Sequence, residues 1–113
     1  MVKKDIVLLK HSERLKSGLI IGAKLISALE NLKDEELEGG TKILSQFFKA
    51  LSTEIGIAYN STKDERFKKA YDMIKDMNFL DIKGSMDRIR RAITLVTSCA
   101  ADAYINLQNS GIL

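Results

Sequence analysis

Lys83-Gly84-Ser85, followed by Arg88 and Arg91, is the segment best equipped for chemistry. Backbone N–H groups at a helix start, a hydroxyl and two guanidinium forks together suit a phosphate or a carboxylate. A bound anion would also offset the unfavourable placing of cations at the positive end of a helix dipole. Asp81 and Asp87, close in sequence, compete for the same cations. A second cationic set, Lys3, Lys4, Lys10, Lys63, Arg66, Lys68 and Lys69, outweighs Asp5, Asp64 and Glu65 and falls at the opposite end once the helices are folded as a bundle. That surplus suits an acidic partner or a nucleic-acid backbone, held by salt-sensitive phosphate contacts. The stacking aromatics that nucleic-acid modules set among their cations are scarce here, because Tyr59 and Phe67 lie on or beside apolar stripes.

Catalytic constellations are missing. His11 is the single histidine, and its neighbours Ser12 and Glu13 point away from it on a helix, so the three form no triad. Cys99 is the single cysteine and stands among apolar residues, which excludes a disulfide framework and predicts a buried, unreactive thiol. No Glu-x-x-His pair of the di-iron kind occurs. Asp72 and Asp76 have the spacing to share a cation, but Lys68, Lys69 and Lys75 surround them and mark a solvated charged face. Gly39-Gly40-Thr41-Lys42 lacks the strand and the residue order of a phosphate-binding loop and reads as a turn. The residues therefore point to a protein that is not an enzyme and has no cofactor and no metal.

The elements that must position these residues are helices. The chain of 113 residues has no proline and no tryptophan, is rich in Leu, Ile, Ala, Lys and Glu, and fits one domain, 1–113. Hydrophobic periodicity predicts an all-α fold, a four-helix up-down-up-down bundle with helices near 5–32, 41–60, 63–78 and 86–109. In helix one, Leu8, Leu15, Leu19, Gly22, Ile26 and Leu29 share a face. Helix two carries Leu44, Phe47 or Phe48, Leu51, Ile55 and Ala58, and could begin as early as Glu35 with Asp34 as cap. Thr62 and Glu65 have the spacing of a capping box before helix three, and Ser85 is placed to cap helix four, which Gly111 ends. In this topology Glu30, Asp34, Glu35, Glu36 and Glu38 share an end with Lys83, Arg88, Arg90 and Arg91, and salt bridges between the two sets are expected.

From Ala92 to Gln108 helix four carries one charge, Asp102. Leu95 and Ile105 lie off its main apolar stripe, so most of its circumference is apolar, as for a helix that is central, swapped or buried in a dimer. Asp102 needs a cation or backbone donors, within the chain or across such an interface. Gly18 and Gly22, four residues apart, cost about 1 kcal/mol each relative to alanine and predict close approach by another helix. The candidate interface is Gly18, Gly22, Leu95, Asp102 and Ile105. No stretch has the length and apolarity of a membrane span and no secretory leader is evident, so a cytoplasmic protein is expected. The function that follows is protein association, with self or with a hetero-subunit. The alternatives are a small basic subunit on nucleic-acid backbone in a nucleoprotein complex, for example a CRISPR-type effector, and, less favoured, a phosphate-ligand binding protein.

Overall fold

The computed structural model describes residues 2–112. Its helices are α1 (Val2–Ala28), α2 (Asp34–Thr62), α3 (Glu65–Ile74) and α4 (Ile82–Asn109), with a 3-10 turn at Leu29–Asn31 after α1. Arg14 of α1 pairs with Glu54 of α2 at 3.0 Å, and Asn106 of α4 donates to Asp5 of α1 at 3.2 Å. Both contacts require antiparallel neighbours, as an up-down-up-down bundle demands. The packed pairs are α1 with α4, α4 with α3, α3 with α2 and α2 with α1, which leaves α2 and α4 diagonal. The rod measures 54 × 22 × 17 Å. No helix among the described residues is long and apolar enough to cross a membrane.

The core forms where the stripes meet: Leu15, Leu19, Ile26, Ile55, Phe67, Ile74, Ile89 and Val96 are almost wholly buried. Phe48 is the buried ring of helix two and Phe47 is half-buried beside it, edge to face at 5.2 Å. α4 packs on α1 and α3 of its own chain.

All four helix starts differ from the sequence reading, α1 beginning at Val2 rather than near Asp5. α2 begins at Asp34, next to the earlier start at Glu35 that the sequence allowed rather than near Thr41, and Gly39-Gly40 lies inside it. Three acids in the first turn favour that start through the helix dipole. Gly40 is held by packing, since a Cβ there would come within 3.0 Å of Leu29 and 2.9 Å of Leu32. The chain reverses instead at Leu32 and Lys33, both extended, and Asp34 takes a positive φ of 51°. No capping box forms at Thr62, whose hydroxyl donates to the Ala58 carbonyl at 2.8 Å. α2 instead ends on Lys63 in the left-handed region, and Asp64 caps α3 by accepting from the Arg66 N–H at 3.0 Å. α4 starts one turn earlier than expected, capped by Asp81 rather than Ser85. α3 is correspondingly short, ten residues rather than the expected sixteen, while Gly111 closes α4 with a φ of 82° as expected.

Candidate functional site

At the arginine corner, the Asp81 carboxylate accepts from the Gly84 N–H at 3.0 Å and so stands where an external anion would. The Ser85 side chain points inward, is 2% exposed and donates its hydroxyl to the Asn78 carbonyl at 2.9 Å. Arg88 donates to the Met73 carbonyl at 3.0 Å, and Arg91 pairs with Asp87 at 3.2 Å. Lys83, Ser85, Arg88 and Arg91 therefore do not converge on a common point. The expected bridges to the acids of α2 are also missing among the described residues, where Glu38 pairs with Lys42 of its own helix at 3.5 Å. The diagonal placing of α2 and α4 explains this, because the two charge sets lie on opposite corners of one bundle end.

At the other end the cations divide. Arg66 grips Asp64 with two side-chain hydrogen bonds, 2.9 Å from Nε and 2.7 Å from Nη2, and its Nη1 donates to Asp102 at 2.6 Å and Ser98 at 3.0 Å. Asp102 thus finds its cation within its own chain. These hydrogen bonds hold the Asp64 carboxyl below its ordinary range, and the two carboxylates hold Arg66 charged. Lys3, Lys4, Lys10, Lys63, Lys68 and Lys69 are exposed and make no ion pair among the described residues. The Lys63 ammonium lies 5.5 Å from the centre of the Tyr59 ring.

Cys99 is buried beside this cluster, and desolvation, reinforced by Asp64, pushes its thiol up to about 12. The native protein should therefore resist iodoacetamide at neutral pH and react stoichiometrically in denaturant, and mass spectrometry of the alkylated chain reads both states. Fast labelling of the folded protein would show that α4 opens at this point. Burial, with Arg14 adding to it, lowers the pKa of His11, and Ser12 donates to the Leu8 carbonyl at 2.7 Å, so no base faces a nucleophile. Asp72 pairs with Lys75 at 3.3 Å rather than joining Asp76, and no cluster of metal-ligating side chains occurs among the described residues.

The groove at Gly18 and Gly22 is filled from within. A Cβ at Gly22 would stand 2.5 Å from the Phe48 ring, and one at Gly18 would stand 2.9 Å from Leu51. The predicted close approach is real, but the side chains come from α2 of the same chain, which removes these glycines from the candidate interface. Leu95 is half-buried against the core, whereas Ile105 is exposed. α4 is less enclosed than its composition suggested, with Thr94, Ser98, Ala101, Tyr104 and Ile105 open along its outer side.

The surface that sequence reasoning missed lies on α2. Gly39, Ile43, Gln46, Ala50, Thr53, Ile57 and Asn60 are all exposed and recur at alternating four- and three-residue intervals, a heptad seam opposite the core face. The seam is uncharged in a chain that is 29% charged. Ile43 is 72% exposed and Ile57 48%; on the adjoining flank of α1, Ile21 is 51% and Leu25 39% exposed. On the other flank, a cleft of about 760 Å³ opens between α2 and α3 because α3 is so short; Phe48, Ser52, Gly56, Ile74 and Phe79 are among its lining residues, with Lys49, Lys75 and Asp76. Spacing alone could have found the seam, but its neutral residues, Gly, Gln, Ala and Thr, hide it from a search for apolar stripes.

No protein-family model, curated protein or solved structure matches the chain.

Proposed function

We propose that the protein is a non-enzymatic helical subunit that acts through protein association, self-association first, using the outer face of α2 and the adjoining flank of α1. The observation that carries this reading is the exposure of Ile21, Leu25, Ile43 and Ile57, spread along the side where α1 and α2 pack together. Large aliphatic side chains left open along one side of a molecule suit a contact surface. Each such side chain, once covered, contributes a share of the about 1.5–3 kcal/mol of full burial, in proportion to the area removed from water. Binding of nucleic-acid backbone by the lysine-rich end has less support, since Tyr59 is the ring at hand there and Lys63 already lies over it. A phosphate ligand at the arginine corner has less still, because Asp81 and Asp87 occupy its donors.

Size-exclusion chromatography with light scattering tests the reading. The chain is 12.6 kDa, and the expected mass is a multiple of that value which falls on dilution. A mass of 12.6 kDa held up to about 100 μM would overturn self-association.

A further inference from the structure

The association surface specifies its own occupant. We propose that the α2 seam pairs with the seam of a second copy, antiparallel, about a two-fold axis at Ala50. This rests on the association reading above and adds partner, orientation and register.

Ala50 is the smallest side chain at the centre of the seam and lies two residues from the middle of α2, which runs from Asp34 to Thr62. Ile43 and Ile57 stand seven residues to either side, about 10 Å along the axis at 1.5 Å per residue. A two-fold axis at Ala50 therefore sets Ile43 against the partner's Ile57 and, by symmetry, Ile57 against the partner's Ile43. The small residue lets the helix backbones approach, and the two isoleucines close over it on each side.

Charge fixes the direction. α2 opens with Asp34, Glu35 and Glu36, all exposed, and closes at Lys63, next to the exposed lysines of α1 and α3. An antiparallel pair sets the acidic start of each α2 beside the partner's Lys63, whereas a parallel pair would set acids against acids and lysines against lysines. Between these ends the seam from Gly39 to Asn60 holds no charge to oppose contact. Of the charges on its borders, Lys42 is tied to Glu38 and Glu54 to Arg14, which leaves Lys49 as the free one among the described residues. The same surface thus complements itself, as a two-fold interface requires.

The available area suffices. A side of the rod 54 Å long and 22 Å wide spans about 1,200 Å², above the ~800 Å² per partner of a standard stable interface. Because Ala50 lies near mid-rod, the two copies overlap along most of their length.

Disulfide trapping in a Cys99→Ser background, with the wild-type mass measured alongside, decides the matter. An equimolar mixture of Ile43→Cys and Ile57→Cys chains, mildly oxidised, should yield mixed cross-linked dimers far beyond the two-fold excess over either homodimer that random pairing gives, and each variant oxidised alone should cross-link little. Ala50→Glu should weaken the dimer by about 30-fold or more without changing helicity by circular dichroism. Glu36→Lys and Lys63→Glu should each weaken it, and the two together should restore it. A wild-type dimer that survives Ala50→Glu and gives no mixed cross-link would overturn the seam while leaving self-association standing through another surface. Preferential Ile43→Cys homodimers would overturn the antiparallel direction. A wild-type monomer would remove both this pairing and the self-association on which it rests.

Discussion

Replacing Phe67 with alanine should lower the unfolding free energy by about 3–5 kcal/mol, the range for deleting a fully buried ring. Phe67 is 0% exposed and heads the largest wholly buried side chains of the core. It is also one of three buried residues, with Ala70 and Ile74, by which the ten-residue α3 holds its place. A helix of that length has little stability of its own in water, so its order derives from this packing. Neighbouring α2 and α4 are nearly three times as long and cannot shift to fill the space without losing their other contacts. Since domains of this size are commonly stable by about 5–15 kcal/mol, the variant should sit near the threshold of folding. Urea denaturation at fixed protein concentration measures it; with slopes of about 1–3 kcal/mol per molar, the midpoint should fall by about 2 M. A loss under about 1 kcal/mol would mean that α3 is not anchored by this ring.

The second large effect concerns Arg66. Changing it to methionine keeps the length of the side chain but removes four hydrogen bonds, two to Asp64 and one each to Asp102 and Ser98. Asp64 and Asp102 are then left as neighbouring acids with no cation between them, on the junction that fastens α2 and α3 to α4. We expect a loss of about 2 kcal/mol, in line with hydrogen bonds between charged partners. Arg66→Lys should recover little of it, because an ammonium cannot reproduce the planar two-pronged grip. The pH profile separates this from simple misfolding. In the native protein Asp64 titrates below its unfolded value of 3.8, so its contribution is complete above that value and is lost as the pH falls through the lowered folded one. The same sign holds for His11, whose lowered pKa makes protonation below 6.5 destabilising. Thermal melts from pH 7 down to pH 3 should therefore show a decline in the wild type whose lower limb is shallower in Arg66→Met, while the His11 limb persists. Parallel profiles for the two proteins would sink the assignment of the lower limb to Asp64.

The core stripes were legible in the sequence because a helix with one packed face repeats large apolar residues at fixed intervals, and Leu8, Leu15, Leu19, Gly22, Ile26 and Leu29 are buried as their spacing implied. Turn chemistry misled where tertiary packing outweighed it. Gly39-Gly40 looks like a break, yet Leu29 and Leu32 press on Gly40 and the helix runs through. Near α4 several residues can cap, and the geometry of the preceding loop selects Asp81 while drawing the Ser85 hydroxyl inward to Asn78. Charge pairing was the least legible property. It depends on which helices are diagonal, and nothing in the spacing of Glu35 or Arg90 records that. The composition of Ala92 to Gln108 suggested full enclosure, but small polar residues such as Thr94 and Ser98 tolerate water as readily as they tolerate a neighbour.

The most extensive helix–helix contact joins α1 to α4, the two elements farthest apart in the chain, and Asp5 and Asn106 nearly touch across it. During synthesis, Leu15, Leu19 and Ile26 must therefore wait, uncovered on their α4 side, until the ribosome has released the fourth helix. For that interval the emerging polypeptide presents a greasy surface to the cell, and its escape from aggregation depends on how quickly that helix arrives.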